Sequence, residues 1–550
     1  MSTLAELLRQ GRNDEVWQRC CGFIDLSLDD FMMIQRRLLQ EQLGLFKKCG
    51  LGKVIMRGAT PSTVDEFRQQ VPLTRYADYA PYLLKRRKGM LPKTPFLWQH
   101  TSGRSGEYPF KWVPLTSRQY DELGPAIFAA IIFSSCKQRG DIALKEYDRY
   151  LYALAPSPYL SGLIGHRIDE EDLVEFLPPL DEAEKMEFAD RVQQGFKLAL
   201  LEGMDIMGAI ASVVVAVGER FSQGNGKIDI KPFLRRPSAL LRLLKGFTKS
   251  KLARRPILPR DIWPLKGIVA GGTDTAVFAD KIKKMWGRYP LNLYASTEAL
   301  VVAMQTWDYQ AMTFLPHFNF LEFIPEAESF KSREDPTYQP KTLLLNEVEA
   351  GEKYELVITN FLGGAMARYR LGDMIRITSL RNDSLNIDIP QMAFHSRVDD
   401  IIDIAGFTRL TEHVIWQAVE YSGIAYQDWT VRKEVKDKPR LHLYIELKDN
   451  SDMSEEDIAL NIHQRLKELD SDYANLESFL GLRPLEVSRL PGNAFQAYML
   501  KQQAAGADLA HLKIPHINPS DSMLDFLVSG EWKVPVPPRK APRREPVPSR

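Results

Sequence analysis

Residues 267–298 read GIVAGGTDTAVFADKIKKMWGRYPLNLYASTE and place a helical stretch between two short apolar runs. The runs at 267–270 and 291–294 predict strands, and the periodic residues 276–286, closed by Gly287, predict a helix. A strand, a crossover helix and a second strand favour a parallel pair in an α/β fold. The segments GGTD and ASTE then lie at the same edge of the sheet, where ligands bind in open α/β folds.

A second pair of strands is predicted downstream, at residues 354–359 and 368–377. The later strand carries RYRLGD and ends this motif on Asp373. A glycine followed by an aspartate can simply close a hairpin turn, and Glu298 can simply be a carboxylate in the first turn of a helix. Taken singly, neither residue establishes a binding site.

Upstream, residues 101–111 read TSGRSGEYPFK and combine hydroxyl side chains, two glycines and two cations in one loop. Glycine lets backbone amides approach an anion, and hydroxyls with a nearby cation can complete a cradle for phosphates. The flanking residues 96–100 and 110–115 predict strands, whereas a Walker loop runs from a strand directly into a helix. The loop therefore predicts a hairpin over phosphates, and an ordinary glycine turn is the alternative.

The chain has 550 residues, 44% of them hydrophobic and 26% charged, which is enough for a sizeable core and for more than one domain. Its formal net charge of +1 indicates no polyanionic partner, so we expect no nucleic acid to bind. The four cysteines have neither a disulfide nor a zinc spacing, and the first residues lack the pattern of a signal peptide. We therefore expect a cytoplasmic protein.

The most apolar windows are residues 124–136 and 206–218, which are shorter than the roughly 20 residues that span a bilayer. They predict core helices and no integral membrane association. Residues 227–260 are rich in Lys and Arg, with Asp229 as their only acid. They predict a basic solvated face with its leucines packed inward, and a membrane-surface or nucleic acid role is the alternative. The leucines expected to pack inward are Leu240, Leu241, Leu243 and Leu244.

A domain boundary is predicted near Asp399, because the polarity rises and the hydrophobic pattern changes along SRVDDIIDIAG at residues 396–406. We divide the chain into a large N-terminal domain at 1–398, a small, mobile α+β domain at 399–533 and a tail at 534–550. The tail is dense in Pro and Arg and is expected to be disordered. The fold class is therefore α/β, with a large multi-sheet domain followed by a small α+β domain.

The order of these motifs resembles the adenylate-forming superfamily, which includes acyl-CoA synthetases, luciferases and the adenylation domains of peptide synthetases. TSGRSG is similar to its phosphate loop, YASTE to its Tyr-x-x-Thr/Ser-Glu signature and RYRLGD to its Tyr-x-x-Gly-Asp signature. SRVDDIIDIAG is similar to the segment that joins its large, adenylate-forming domain to its small domain.

Within the superfamily, the chain most resembles the Gretchen Hagen family, the auxin-responsive acyl acid amido synthetases. This narrower resemblance rests on VPLTRYADYAPYLLKRRKGM at residues 71–90, on YELVITN followed by ARYRLGD, and on residues 492–517.

The resemblance implies an ATP-dependent ligase whose substrates are a small-molecule carboxylic acid and an amine. A carboxylate oxygen would attack the α-phosphorus of ATP, giving an acyl adenylate and pyrophosphate, and an amine such as an amino acid would then attack the activated carbonyl. ATP and Mg²⁺ are the implied cofactors, and we expect a monomer. Two alternatives stay open: transfer of the acyl group to coenzyme A or a carrier thiol, and a degenerate member that binds nucleotide or acyl ligand as an interaction module.

The resemblance also assigns residues to the nucleotide. The loop residues assigned to its phosphates are Thr101, Ser102, Gly103, Arg104, Ser105 and Gly106, with Lys111 as a cation. Arg104 stands where the family has a small hydroxyl residue, and it could either clamp a phosphate or crowd it. Gly272 and Thr273 would line the adenine slot, and Tyr294, followed by Ala295 and Ser296, would lie against the ring.

The remaining assignments concern the reacting groups and the ribose. Thr297 would contact the α-phosphate and Glu298 would bind Mg²⁺, a cation that prefers oxygen ligands. Asp373 would accept hydrogen bonds from the ribose hydroxyls, and Arg397 would contact the ribose or a phosphate. Lys513 is the lysine that the small domain would bring to the α-phosphate, with Lys501 as the second choice and Asp399 as the hinge.

Overall fold

The computed structural model describes most of the chain, namely residues 3–101, 110–186, 188–222, 236–271, 275–335, 337–398, 401–404, 408–435, 439–448, 453–471, 473–474, 485–504 and 514–530. Its helices are α1 Leu4–Arg9, α2 Asn13–Cys21, α3 Leu28–Lys48, α4 Gly50–Ile55, α5 Val64–Gln70, α6 Tyr76–Leu83, α7 Ser117–Ser135, α8 Leu160–Asp169, α9 Leu180–Ala183, α10 Phe188–Glu202, α11 Ala211–Ser222, α12 Pro237–Leu252, α13 Pro259–Ile262, α14 Thr275–Trp286, α15 Glu326–Glu334, α16 Glu412–Tyr421, α17 Glu455–Leu469, α18 Ala494–Ala504 and α19 Asp521–Ser529.

The strands belong to one large sheet and three small ones. They are β1 Leu97–His100, β2 Trp112–Leu115, β3 Asp148–Ala153, β4 Val174–Leu177, β5 Ile206–Ile210, β6 Gly267–Gly271, β7 Pro290–Ser296, β8 Leu300–Gln305, β9 Met312–Phe314, β10 Asn319–Pro325, β11 Lys353–Asn360, β12 Tyr369–Ser379, β13 Gln391–Arg397, β14 Ile401–Ile404, β15 Thr408–Thr411, β16 Tyr426–Val435, β17 Pro439–Leu447 and β18 Leu485–Arg489.

The large sheet has eleven strands in the order β10-β11-β12-β13-β9-β8-β7-β6-β5-β3-β4. The strands from β4 to β7 pair in parallel, and those from β7 to β10 pair antiparallel. The predicted unit β6-α14-β7 is confirmed, and its two strands are parallel neighbours. β7 is thus the strand at which the parallel half of the sheet meets the antiparallel half.

The first apolar window forms the central helix α7 of the larger core. Thr116 caps this helix and Gln119 completes the capping box, so the polar residues lie at its start. From Leu123 onward the helix is almost entirely buried. The prediction of a core helix at 124–136 is therefore confirmed.

The second apolar window is only partly helical, so that prediction was wrong in its first half. Residues 206–210 form β5, which lies between β3 and β6 in the sheet, and α11 begins at Ala211. A short apolar run suits a buried strand as well as a buried helix, and periodicity alone does not separate the two. Here residues 206–210 form a strand because β3 and β6 pair with them on both sides.

The leucines of α12 do not all pack inward, which corrects the expectation for the basic segment. Leu243 is buried, whereas Leu241 is 53% exposed and Leu244 is 55% exposed. The residues that face the core lie three or four positions apart on one side of the helix. They are Ala239, Leu243, Gly246 and Ser250.

The C-terminal part of the chain has a core of its own. β16 and β17 pair antiparallel, β18 joins β17 in parallel, and α16 and α17 pack together beside them. Its buried side chains include Trp429, Leu443 and Ile462. The architecture is thus the predicted α/β arrangement of a large multi-sheet domain and a smaller C-terminal domain. Among the helices that the structure describes, none combines the length and the apolar character that crossing a bilayer requires.

Candidate active site

The turn that joins β7 to β8 contains Thr297 and Glu298 and is held from three directions. Gln99 on β1 donates a side-chain hydrogen bond to the Thr297 carbonyl at 2.9 Å, and Asn360 on β11 donates one to the Glu298 carbonyl at 2.9 Å. Asn319 on β10 donates to the Ala299 carbonyl at 2.6 Å. Because these amides satisfy three successive carbonyls, the turn is fixed by strands that lie far away in sequence.

The carboxylate of Glu298 is shared between a cation and a phenol. Lys111 Nζ lies 3.9 Å from Glu298 Oε1 and 5.6 Å from the centre of the Tyr76 ring, and Tyr369 donates a hydrogen bond to the same oxygen at 3.4 Å. The side chain of Glu298 is 11% exposed. These long contacts leave the carboxylate room to take an additional ligand.

The base of the predicted hairpin is confirmed next to this carboxylate. The Thr101 amide donates to the Lys111 carbonyl at 3.1 Å, and the Lys111 amide donates to Thr101 Oγ1 at 3.2 Å. β1 and β2 pair antiparallel directly behind these residues. The two ends of the loop are therefore clasped together beside Glu298.

Asp373 lies on β12 within reach of both Tyr294 and Arg397. Tyr294 donates its hydroxyl to Asp373 Oδ2 at 2.7 Å, and Arg397 Nε lies 3.4 Å from Oδ1. Oδ1 is nevertheless buried and has no hydrogen-bond partner among the described residues. A buried carboxylate oxygen without a donor is costly, so it marks a place where a ligand hydroxyl would be favourable.

The two tyrosines of the site act as donors because their phenols stay protonated. Burial raises the pKa of Tyr294 well above its usual value, and the negative charge of Asp373 raises it further. Burial likewise raises the pKa of Tyr369, with a further contribution from Glu298. Each phenol therefore donates a hydrogen bond to the carboxylate that it faces.

The motif RYRLGD is anchored by two buried ion pairs at the start of β12. Arg368 donates to Glu322 at 2.8 and 3.1 Å, and Arg370 donates to Glu355 at 2.7 and 2.5 Å. Arg368 also donates to the carbonyls of residues 68 and 71. These bonds tie β10, β11 and the C-terminal end of α5 to the strand that carries Asp373.

Several predicted site residues fall outside the described residues. They are Ser102, Gly103, Arg104, Ser105, Gly106, Gly272, Thr273, Lys513 and the predicted hinge Asp399. The domain boundary near residue 399 and the tail at 534–550 accordingly stay predictions. The structure forms two groups of contacts among the other site residues. One group contains Thr101, Lys111, Glu298 and Tyr369, and the other contains Tyr294, Asp373 and Arg397.

Three sequence profiles match successive parts of the chain. They describe the GH3 family N-terminal domain at residues 21–151, the GH3 family central domain at 312–397 and the GH3 family C-terminal domain at 409–522. Together they cover more than half of the chain. The chain belongs to the GH3 family. The match to the central domain ends at Arg397. The resemblance to the acyl acid amido synthetases that the motifs indicated is confirmed.

Two curated relatives show what GH3 proteins of similar sequence do. The indole-3-acetic acid-amido synthetase GH3.3 of Arabidopsis thaliana is 26% identical over 308 residues, which cover 52% of this chain and 49% of that protein. The jasmonoyl-L-amino acid synthetase GH3.5 of Oryza sativa subsp. japonica is 27% identical over 293 residues, covering 49% and 48%. The chain thus spans about half the length of these curated relatives.

Solved structures show the same fold over nearly the whole GH3 chain. The acyl acid amido synthetase AtGH3.15, in complex with 2,4-DB, has a TM-score of 0.64 at 18% identity and covers 93% of this chain and 95% of its own. A 2-hydroxyisobutyryl-CoA ligase in complex with 2-HIB-AMP has a TM-score of 0.58 at 14% identity and covers 92% and 94%. At these identities the likeness establishes the fold alone.

Sequence reasoning missed the amides that hold the turn after β7 in this GH3 chain. Gln99, Asn319 and Asn360 are buried and satisfy the carbonyls of 297–299. Gln99 lies next to the last residue of β1, just before the predicted loop. The sequence does not show which carbonyl a single amide side chain in a strand will bond to. The pairing is set by the sheet order, which single residues do not reveal.

Lys501, the second choice for the small-domain lysine, has a structural contact instead. Its ammonium lies 4.3 Å from the centre of the Phe526 ring, so α18 packs against α19 through a cation–π contact. Such a contact explains a lysine at this position without a catalytic role.

His516 sits in a cage that sequence reasoning did not find. Its Nδ1 bonds to Glu412 and its Nε2 to Asp428, both at 2.8 Å, and its ring stacks on Trp429 with centroids 4.5 Å apart. Trp416 closes another side of the cage and also packs against Phe278 of α14. Because both ring nitrogens face carboxylates, the imidazole is held in its protonated form.

We expect the C-terminal domain to lose stability at alkaline pH through His516. Burial alone lowers the pKa of His516, but the charges and hydrogen bonds of Asp428 and Glu412 outweigh it and raise the pKa from 6.5 to about 9. A raised folded-state pKa means that this stabilisation is complete below about pH 6.5 and is lost as the pH rises through about 9. It amounts to roughly 3 kcal/mol.

Urea unfolding of the wild type and of His516→Gln on both sides of this pH window measures the effect. The two proteins should differ most at the acidic end and converge at the alkaline end. A stability difference that does not change across the window would contradict the protonated cage.

Proposed function

We propose that this GH3 protein activates a carboxylic acid as an acyl adenylate with release of pyrophosphate, and then transfers the acyl group to an amine to form an amide. One observation carries the first half of the proposal: Tyr294 orients Asp373 through Oδ2 at 2.7 Å, while the buried Oδ1 lies 3.4 Å from Arg397 Nε and accepts no hydrogen bond from the described residues. A ribose diol supplies the hydroxyl donors that this oxygen lacks. The names of the two amido synthetases support the amine as acceptor.

The protein's contribution to this chemistry is positioning and charge stabilisation. Asp373 would hold the ribose, with Arg397 beside it on the more open side of the site. Tyr294 keeps Asp373 in one orientation, and its buried ring would lie against the adenine. Thr297 lies in the pinned turn, so its side chain would meet the α-phosphate at a fixed place.

Glu298 is the residue that would hold Mg²⁺. Within the described part of the chain, no cluster of three His, Cys, Asp or Glu side chains could hold a metal ion by itself. A single carboxylate is enough for Mg²⁺ when phosphate oxygens and water complete the octahedron. The ion would supply charge neutralisation at the phosphates, and the side chains of Lys111 and Tyr369 would hold Glu298 in place through its Oε1.

The cation that approaches the α-phosphate from the small domain would be Lys513. We expect Lys513→Ala to lower acid-dependent pyrophosphate exchange by about a hundredfold, because one preorganised donor to the transition state is lost. Lys501→Ala is the matched control, since its ammonium packs on Phe526 and should leave exchange unchanged. A Lys501 variant that loses exchange while the Lys513 variant keeps it would reverse the assignment.

Product analysis tests the proposed acceptor. The protein is incubated with ATP, Mg²⁺ and an acid that supports exchange, together with a mixture of amino acids or with coenzyme A, and products are identified by mass spectrometry. An amide formed in step with AMP supports the proposal. A thioester as the product would place the protein among thiol-transferring ligases, and neither product with any acid would indicate an interaction module.

A further inference from the structure

The outer face of α12 carries four large apolar side chains that are about half exposed or more. Leu241, Leu244, Phe247 and Leu252 are 53%, 55%, 45% and 80% exposed. On a helix of 3.6 residues per turn, Leu241, Leu244 and Leu252 project on the side opposite the buried stripe of Ala239, Leu243, Gly246 and Ser250. The helix is therefore apolar on both its inner and its outer side.

The helix and the residues on either side of it carry a strong local positive charge. Residues 236–260 contain eight Lys and Arg residues and no Asp or Glu, although the whole chain has a net charge of only +1. Part of this charge serves the fold: Arg236 pairs with Glu202, Arg255 pairs with Asp261, and Arg242 donates to the last carbonyls of α10.

The three lysines of the outer face have no such role. Lys245, Lys249 and Lys251 are exposed and form no ion pair with an acid of the described residues. They flank the exposed leucines on the helix surface, so cations and large apolar side chains alternate over one face. The stem of a lysine can lie along apolar surface while its ammonium reaches outward.

We propose that the outer face of α12, defined by Leu241, Leu244, Phe247, Leu252 and the lysines 245, 249 and 251, docks on an anionic membrane surface. Exposed Leu and Phe beside lysines are the composition of helices that lie in the bilayer interface, with the apolar side chains among the acyl chains and the ammonium groups at the anionic headgroups. Nucleic acid suits this face poorly, because phosphates and base edges offer nothing to exposed leucines.

Charge also argues against two occupants from the protein itself. A second copy meeting this face would set its lysines against identical lysines. The C-terminal residues 531–550 carry six Lys and Arg and two Glu. Their net charge is therefore positive, and the lysines of α12 repel it. An anionic surface is the partner whose charge is complementary.

Co-sedimentation with vesicles tests the docking surface. The full-length protein is mixed with phosphatidylcholine vesicles and with vesicles of phosphatidylcholine and phosphatidylserine in equal parts. We expect binding to the anionic vesicles alone, weakening as salt is added. Absence of binding to the anionic vesicles at low salt overturns the proposal.

Two double variants separate insertion from simple adsorption. Leu241→Gln with Leu244→Gln should lower the vesicle partition coefficient about tenfold or more, because two large side chains no longer leave water. Lys245→Glu with Lys249→Glu should lower it by at least a similar factor. Leu460→Gln, at another exposed leucine, and Lys53→Glu with Lys341→Glu are the matched controls and should bind as the wild type does.

Enzyme activity and oligomeric state separate membrane docking from misfolding and from dimer formation. Pyrophosphate exchange should be unchanged in all of these variants, because α12 contributes none of the residues placed in the active site, and this also shows that they fold. Loss of binding in the lysine variant with full binding in the leucine variant would mean adsorption without insertion, and overturns the proposal. A concentration-dependent dimer that the leucine variant abolishes would assign the face to a second copy, and also overturns it.

Discussion

Replacing Asp373 by Ala is expected to lower kcat/KM for acid-dependent pyrophosphate release by about a hundredfold or more. The variant removes Oδ1, which accepts no hydrogen bond from the described residues, and with it the two charge-assisted hydrogen bonds proposed to the ribose, each of which would contribute about 1.5–3 kcal/mol. It also releases Tyr294, whose hydroxyl is held at 2.7 Å. Steady-state pyrophosphate release and ATP binding by calorimetry measure both effects.

The controls for Asp373 separate loss of the proposed ribose contact from loss of folding. Asp383→Ala removes a carboxylate that is 86% exposed and should leave activity unchanged. Tyr294→Phe removes only the hydroxyl that orients Asp373, so it should lower kcat/KM less than Asp373→Ala does. An Asp373→Ala protein that binds ATP as tightly as the wild type would place the ribose elsewhere.

Replacing Glu322 by Gln is expected to destabilise the large domain by about 3–5 kcal/mol, because it leaves Arg368 buried without its counter-charge. The side chains of Glu322 and Arg368 are 0% and 6% exposed, and they are joined by two hydrogen bonds. A shift of the urea midpoint, followed by tryptophan fluorescence, reports the loss.

Two comparisons keep this prediction specific. Asp383→Asn breaks the exposed pair with Arg381 and should cost less than about 1 kcal/mol. Glu322→Leu combined with Arg368→Met removes both charges and should recover part of the stability lost in Glu322→Gln, because the carbonyls of residues 68 and 71 then lose the donor Arg368. If Glu322→Gln lowers the free energy of unfolding no more than Asp383→Asn does, the Glu322–Arg368 pair does not anchor β12.

The part of the fold that sequence predicts best is β6-α14-β7, because its strand and helix periodicities differ and Gly287 marks the end of the helix. The roles of the site residues that sit inside motifs stay predictions, although the structure shows contacts among them. Tyr294, Glu298 and Asp373 were assigned by resemblance, and the structure brings Tyr294 and Asp373 into hydrogen-bond contact across 79 positions of the chain.

The parts that sequence did not predict are those that depend on tertiary partners. β5 is a strand because β3 and β6 lie on either side of it, and its own apolar residues do not say so. Leu241 and Leu244 are exposed because α12 turns mostly small residues toward the protein core. The composition of the segment does not predict which side of the helix faces the core. The cage of His516 brings residues of α16 and β16 to a histidine that follows them by up to 104 positions, and no local pattern predicts that meeting.

Acid-dependent exchange of labelled pyrophosphate into ATP, measured across a panel of aryl and aliphatic carboxylic acids, tests whether the chain forms acyl adenylates. We expect exchange that requires both Mg²⁺ and a particular subset of the acids, and that falls about a hundredfold in Asp373→Ala. A protein that binds ATP yet catalyses no exchange with any acid of the panel would contradict it.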